Sequence, residues 1–589
     1  MSTLLSLIPK SPSLTSPTAV VLPSSPRNQA AGQGHPLEQE EFSYGDLRAM
    51  IMAFRKTLIE QLGVKKGDIV GQAMNNTLEF MVAFIGRSFI AGLLVLDSRA
   101  IDHHHRATSA PLNPAYTVGE FQFYLQDTKP ALLLIPPLKQ AGVLDKAAAT
   151  ALKAAKKENV PVYEMWFDDG SLRTNLVFGQ GPSQRQTVAS VGDPSPDDVA
   201  LVLHTSGTTG RPKSVPLTHR NLMRTTNNII QTYNLSTADR TYLVMPLFHV
   251  HGMLCAFLSP LAAGSSITLP RSGKFSASTF WHDFVSTRCT WYTAVPTIHS
   301  ILLNLAKSGK GDEAGPFRTG YKGQVPQIRF IRSCSSSLAP STLHALEATF
   351  KAPVLEAYAM TEAAHQMTSN VAGKRCAGTV GIPVGTQISI RAIEDGKLLS
   401  PGSIGEVCVR GENVFSGYWA NEKANAESFW APTSDEEKRS SDEFRGRKWF
   451  RTGDQGFIIA KGEGKGNLKL TGRIKELINR GGEKISPLEV DSALLSIDGV
   501  KEAVCFGVED AKYGEVVWAG IVLDASHQGS KQEEQRIKKE VGNKIAKFKV
   551  PERIIFAKAI PKTATGKIQR RFVRDAFVKQ AREETGAKL

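Results

Sequence analysis

Cysteine is scarce. Six residues in 589, at positions 255, 289, 334, 376, 408 and 505, never fall into a CxxC pair, so neither a disulfide framework nor a zinc ligand set is encoded and a reducing compartment fits. Long apolar runs are missing too: nothing reaches the ~20 residues that cross a bilayer. The opening MSTLLSLIPKSP lacks the basic leader, the long apolar segment and the clear cleavage site of a secretion signal. No membrane span and no secretion are therefore expected. Acidic residues are the minority, 56 against 71 Lys and Arg, for a net charge of +15. That balance suits nucleic acid only if it is spread over a surface, yet residues 531–589 alone hold 17 Lys and Arg against 7 Asp and Glu. The excess is local and needs a local cause. Internal repeats are absent.

What is present reads as a folded chain with two or more cores: 41% hydrophobic and 22% charged residues are ordinary for a globular protein. Apolar, β-rich runs such as DVALVLH, TYLVMPL, IRFIRS and VLEAYA alternate with helical stretches such as HRNLMRTTNNII and STLHALEATF, the pattern of layered α/β structure. Beyond about residue 470 the text changes to short strands, KEAVCFGV and EVVWAGIVL, around a charged helix, KQEEQRIKKEVGNKIAKF. The expected organisation is a partly disordered Ser/Pro-rich segment over 1–40, a large domain of layered α/β subdomains over 41–472, and a small, mobile α+β domain over 473–589, with a hinge near Arg473 and Lys475. Two insertions are expected in the large domain. One is a poorly packed loop over 92–109 containing His103, His104 and His105; the other is a charged, solvated loop over 431–447.

The stretch LHTSGTTGRPKSVPLTH, 203–219, packs Thr205, Ser206, Gly207, Thr208, Thr209, Gly210 and Lys213 behind an apolar run. Small and glycine residues let successive N–H groups turn inward, and one lysine completes a positive nest for phosphate oxygens. Arg211 and Pro212 separate Gly210 from Lys213, so this is not a Walker loop. Five further stretches also place polar groups beside a strand end or glycine turn: MPLFHVHG (245–252), RSCSSSLAP (332–340), EAYAMTEAAHQM (356–367), WFRTGDQG (449–456) and PKTATGKIQRR (561–571).

In order and spacing these stretches, with GEVCVRGENVFSGYW (405–419) and LTGRIKELINRGG (470–482), resemble the acyl-activating, adenylate-forming superfamily of acyl-CoA synthetases, luciferases and peptide-synthetase adenylation domains. The resemblance covers nearly the whole chain. It implies an enzyme that joins a carboxylate to ATP, releasing pyrophosphate, and then passes the acyl group to CoA, with Mg²⁺ and fixed donors stabilising phosphoryl charge. Residue by residue it implies Thr205, Ser206, Thr208, Thr209 and Lys213 on the β- and γ-phosphates. Ser335 would join the nucleotide site, Tyr358 would stack on adenine, and Glu362, beside Thr361, would hold magnesium. Asp454 would accept the ribose hydroxyls, and Arg473 would lie near the ribose or phosphate. Lys567 would bridge the acid and the α-phosphate, which gives the basic terminal block its cause. Turning at Lys475 would bring the loop at Gly481 and Gly482 to the CoA channel. Ser214 stands where many members have glycine, and SCSSSLAP replaces a more glycine-rich stretch.

The expected acid pocket contains His249, His251, Ser333, Ser335, Ser336, Ser337 and His365. The two histidines at 249 and 251 have no third ligand nearby and read as pocket lining rather than a metal pair. Burying so many polar groups beside an alkyl chain costs a few kcal/mol per unpaired group, whereas a second carboxylate would satisfy several. A short dicarboxylate is expected, and SCSSSLAP, EAYAMTEAAHQM and PLNPAYTVGEFQFYL look most like the oxalate–CoA ligase group, which includes fungal peroxisomal CoA synthetases. A medium-chain or aryl-acid CoA ligase of the same fold remains open at this point, as does a basic RNA-binding protein on an adenylate fold. Ala587-Lys588-Leu589 is a small–basic–Leu ending, so a peroxisomal import receptor and a peroxisomal matrix location, with a cytoplasmic share, are expected. No specific nucleic-acid partner is expected.

Overall fold

A computed structural model describes residues 17–23, 38–65, 67–88, 107–140, 142–168, 171–181, 194–205, 212–308, 312–317, 325–441, 443–562 and 568–585. Ser206 to Gly210, Lys567, His103 to His105 and the C-terminal tripeptide lie outside the described residues.

Two large sheets and their helices build the chain up to about residue 370. Four strands, Ile69–Gln72, Thr108–Pro111, Leu132–Ile135 and Val162–Asp168, pair in parallel within a seven-stranded sheet. Val199–His204 joins them in parallel beside Thr108–Pro111. Parallel strands with both faces covered need near-continuous apolar text, as LLLI at 132–135 shows. A nine-stranded sheet holds Arg240–Tyr242, Ser266–Thr268, Trp291–Ala294, Phe330–Ser333 and Val354–Met360 in parallel, with antiparallel strands at both ends. Both sheets contribute side chains to one continuous core. A five-stranded antiparallel sheet follows, from Gln387–Arg391 to Leu468–Arg473.

After a single 3₁₀ turn, Ile474–Glu476, the chain enters a separate sheet with its own core around Ile485, Val490, Cys505 and Ile521. Its two main strands, Val500–Asp510 and Gly514–Leu523, run 11 and 10 residues, longer than the text suggests. They pair along their whole length and bury both faces, Ala503, Cys505, Ala519 and Ile521 in one core and Val504, Phe506 and Val522 in another.

Three segments carry structure beyond those expectations. Within 1–40, Thr18–Leu22 is a strand whose Ala19, Val20 and Val21 are fully buried between Ser266–Thr268 and Glu40–Ser43. Residues 107–109, counted with the insertion, are buried, and Thr108 and Ser109 lie in a central strand; the rest of that segment is not described. The 431–447 segment is largely exposed, as a solvated loop would be, yet it is anchored. It carries the helix Ser434–Arg439, and its Glu436 and Glu443 pair with Arg391 and Arg224 of the main body.

The helix His219–Tyr233 carries the fold to the site. Thr218 caps it in a reciprocal box with Asn221, and Asn234 closes it in a left-handed conformation at φ 48°. Its start thus lies just behind the phosphate-type loop, and its last turn delivers Thr232 and Tyr233 beneath the nine-stranded sheet.

Candidate active site

The phosphate-type loop is closed at its root. Thr205 N–H donates to the Lys213 carbonyl at 3.0 Å, and Lys213 N–H donates to Thr205 Oγ1 at 3.2 Å. Ser214 then has a task that glycine could not perform: its hydroxyl donates to Asp127, whose Oδ2 also lies 2.8 Å from His204 Nε2. That partnership with His204 holds the Asp127 carboxyl below its ordinary range. One carboxylate from the helix Val118–Thr128 therefore ties together both strands that feed the loop.

Opposite the loop, Tyr358, Asp454 and Arg473 meet. The Tyr358 hydroxyl donates to Asp454 Oδ2, and Arg473 Nε lies 2.8 Å from Asp454 Oδ1. Asp454 raises the Arg473 pKa, while burial raises that of Tyr358, so the guanidinium stays charged and the phenol neutral. Strand pairing fixes the geometry, since Asp454 sits directly across from Arg473 in neighbouring antiparallel strands. Glu362 lies in the 3₁₀ turn Thr361–Ala363 that ends the Tyr358 strand. Its Oε1 accepts the Tyr418 hydroxyl at 2.9 Å, while its Oε2 makes no hydrogen bond among the described residues.

The acid pocket is built around a residue that the sequence reading passed over. Arg332, in the middle of the run IRFIRS, is fully buried, yet no carboxylate among the described residues pairs with it. Nε donates to the Tyr233 hydroxyl at 2.7 Å, Nη1 to Thr293 Oγ1 at 3.2 Å, and Nη2 to Gln366 Oε1 at 3.0 Å. Nη1 also lies 3.4 Å from His251 Nε2. His251 in turn contacts Thr293 Oγ1 at 2.6 Å and Ser335 Oγ at 3.1 Å. His365 stacks on His251 with ring centroids 5.1 Å apart, and both of its ring nitrogens are buried without a hydrogen-bond partner. Burial first, then Arg332 and neighbouring histidines, pushes His251 and His365 well below the usual imidazole range.

Local backbone explains how these side chains arrive. His251 opens a π-helix, His251–Leu258, and a Cβ at Gly252 would come within 2.3 Å of the Pro246 carbonyl oxygen. Only glycine permits that approach. Ala364 and His365 take φ of 46° and 97°, and Ser335 takes 73°, conformations that cost a side-chain-bearing residue energy and cluster at functional sites. Ser335 thus adopts the turn geometry that a glycine would take easily.

Ser335, expected both on the nucleotide and in the acid pocket, bonds His251 of the acid pocket. Ser333 is buried with its hydroxyl unpartnered, one residue along the strand from Arg332, and successive strand side chains point to opposite faces. His249 is half-buried and its Nδ1 accepts from the His251 N–H at 3.2 Å. No group of three or more metal-type ligands occurs among the described residues. Lys475 lies in the 3₁₀ turn between the two sheet systems, whose Glu476 is 3.5 Å from Arg570. Gly481 and Gly482, at φ 61° and 93°, form a two-residue hairpin turn that non-glycine residues would strain. The sequence signal for Arg332 was a lone arginine inside an apolar strand; that for Tyr418 was its place in a quoted motif with no assigned role.

Comparison with known proteins agrees with this geometry. The AMP-binding enzyme family matches residues 24–419, and the AMP-binding enzyme C-terminal domain matches 489–567. The chain is 41% identical to an oxalate–CoA ligase of Saccharomyces cerevisiae over 93% of this chain and 95% of that one. It is 43% identical to an oxalate–CoA ligase of Arabidopsis thaliana over 91% and 94%. Among solved structures, ATP-bound MatB from Rhodopseudomonas palustris superposes with a TM-score of 0.74 at 26% identity, covering 98% of this chain and 99% of that one.

Proposed function

The chain belongs to the AMP-binding enzyme family, and from that premise we propose that it is an AMP-forming acid–CoA ligase that converts oxalate to oxalyl-CoA. The observation that carries the acid assignment is the buried Arg332 guanidinium, which among the described residues has only neutral partners and lies beside the His365 imidazole, itself without a hydrogen-bond partner among them. A cation without a counter-ion, next to orphaned buried nitrogens, suits an anionic group brought by the substrate. One carboxylate of oxalate would face ATP while the other meets Arg332, His251 and His365. An alkyl or aryl acid would leave these groups unsatisfied.

In the first step an oxygen of the free carboxylate attacks the α-phosphorus, the bond to the β-phosphate oxygen breaks, and pyrophosphate leaves. In the second the CoA sulfur attacks the acyl carbon, the carbon–oxygen bond breaks, AMP leaves, and the thiol proton passes to solvent. Thr205 and Lys213, with Ser206 to Gly210, would hold the β- and γ-phosphates. Tyr358 would face the adenine, with Asp454 and Arg473 at the ribose. Lys567 would bridge carboxylate and α-phosphate, and Gly481 and Gly482 would border the CoA path. Glu362 fits a magnesium ion, since one carboxylate oxygen is fixed by Tyr418 and the other has no described partner. Bound there, the ion would neutralise charge on the triphosphate.

The test is a panel of acids in CoA-dependent AMP formation. Oxalate should outperform hexanoate and 4-coumarate, neither of which carries a second carboxylate beside the first. Equal or faster turnover of hexanoate would overturn the oxalate assignment and leave the adenylation chemistry standing.

A further inference from the structure

The stretch 411–419, GENVFSGYW, has no role in the reaction as described, yet it is fastened to both sides of the nucleotide site. Phe415 N–H donates to the Glu362 carbonyl at 2.8 Å, and Trp419 N–H donates to the Ser214 carbonyl at 3.0 Å. Between them, Asn425 grips the backbone of Tyr418 twice: Tyr418 N–H donates to Asn425 Oδ1 at 2.7 Å, and Asn425 Nδ2 donates to the Tyr418 carbonyl at 2.9 Å. The Phe415 ring meets that of Tyr418 edge-on at 4.9 Å. So held, the buried Tyr418 side chain stands between two opposite charges. Its hydroxyl donates to Glu362 Oε1 at 2.9 Å, and the Lys213 ammonium lies 4.4 Å from its ring centroid.

A lysine and a carboxylate this close, in a site this sheltered, would ordinarily close into a direct ion pair. They do not, because the ring fills the gap and offers each charge a different surface: its π face to the cation, and its edge hydroxyl to the anion. A phenol is neutral at physiological pH and so serves as a donor to the carboxylate. A direct pair would occupy the cation needed for phosphate oxygens and the carboxylate suited to a metal ion.

We propose that Tyr418 is a positioning residue for adenylation, whose ring berths Lys213 and whose hydroxyl tethers Glu362, keeping the two apart and both available to the triphosphate. The inference rests on the adenylation reading and is independent of which acid is used.

Two substitutions separate the two contacts. Tyr418→Phe keeps the ring and removes the tether; Tyr418→Leu removes both. ATP binding to the full chain, measured by calorimetry with no acid and no metal, should stay within about threefold of the parent in Tyr418→Phe and weaken roughly tenfold in Tyr418→Leu, the scale of a sheltered cation–π contact. AMP formation by Tyr418→Phe should show kcat lowered about tenfold at a nearly unchanged KM for ATP, as expected when a carboxylate loses one hydrogen bond. In a Lys213→Met background the Phe and Leu variants should bind ATP equally, because the ring then has no cation to hold. Tyr418→Met, close in volume, replaces the leucine variant if that one does not fold. Equal weakening of ATP binding by the Phe and Leu variants would overturn the berth, as would a difference that persists with Lys213→Met. An unchanged kcat in Tyr418→Phe would overturn the tether. Because ATP binding is read without acid, these failures are distinct from failure of the oxalate assignment.

Discussion

Three arginines, Arg87, Arg332 and Arg391, are fully buried among the described residues; Arg391 pairs with Glu436, whereas Arg87 and Arg332 have no carboxylate partner among those residues. Arg87 donates Nε to the Ala83 carbonyl and Nη1 to the Val70 carbonyl, each at 2.7 Å, and Nη2 to Ser109 Oγ at 2.9 Å and to the Gln72 amide oxygen. Arg332 donates to two hydroxyls and an amide and lies against an imidazole. The difference lies in what the partners can do. Backbone carbonyls within a helix and a central strand are fixed acceptors, so Arg87 is committed to knitting the helix Leu78–Ser88 to the strands Ile69–Gln72 and Thr108–Pro111. Hydroxyls and imidazoles both donate and accept and can turn, so the shell around Arg332 can rearrange when an anion arrives. A buried cation without a counter-ion is therefore read by the chemistry of its partners rather than by its burial.

Substitution should break the two regions in opposite ways. Arg332→Met should lower kcat/KM for oxalate a hundredfold or more, the loss expected when one partner of a desolvated charge pair is removed. It should also abolish the rise in melting temperature that oxalate gives the parent. Retained oxalate turnover would place the second carboxylate elsewhere. Arg87→Met should leave the KM for oxalate within about twofold and lower stability by about 2 kcal/mol, because two buried carbonyls lose their donor. Urea unfolding reads this directly, and a selective loss of oxalate affinity would erase the contrast.

The comparison also marks where sequence stops being informative. The α/β layering and the phosphate-type loop rest on local text: strand runs, glycine turns and short polar motifs; Tyr358 and Asp454, 96 residues apart, were assigned to one site only through the family resemblance of their motifs. Arg332 rests on distant text. Its partners Tyr233, Thr293 and Gln366 are 99, 39 and 34 residues away, and no period or spacing brings them together. Within its own stretch the serines that follow it were named as pocket residues and Arg332 was not; an arginine within a strand more often reaches solvent. The same reason accounts for 431–447, whose exposed, charged text gave no sign that Glu436 meets Arg391 of the strand Gln387–Arg391. Thr18–Leu22 was hidden by the Ser/Pro-rich text around it, although it is a β-branched run with a parallel partner at 266–268.

The smallest expected effect concerns the imidazoles beside Arg332. His251 and His365 have folded-state pKa values depressed well below 6.5, chiefly by burial and then by Arg332, and His299 is lowered to about 4 by burial. At neutral pH these groups are neutral in both the folded and unfolded chains and contribute nothing to pH dependence. Below pH 6.5 the unfolded chain takes up protons that the folded chain refuses, so stability falls as pH falls toward the folded values. Each histidine should contribute about 1 kcal/mol of loss between pH 7 and 5.5. Arg87, which burial lowers only to about 9, stays charged throughout that window and adds no slope. An oxalate dianion beside His251 and His365 would favour their protonated forms and so offset part of the acid loss, which it cannot do for a histidine remote from it. Urea unfolding at pH 7 and 5.5, with and without oxalate, should therefore show a shallower pH dependence with the ligand. In Arg332→Met oxalate should no longer flatten the slope. If oxalate leaves the slope unchanged in the parent, the second carboxylate does not sit against these histidines.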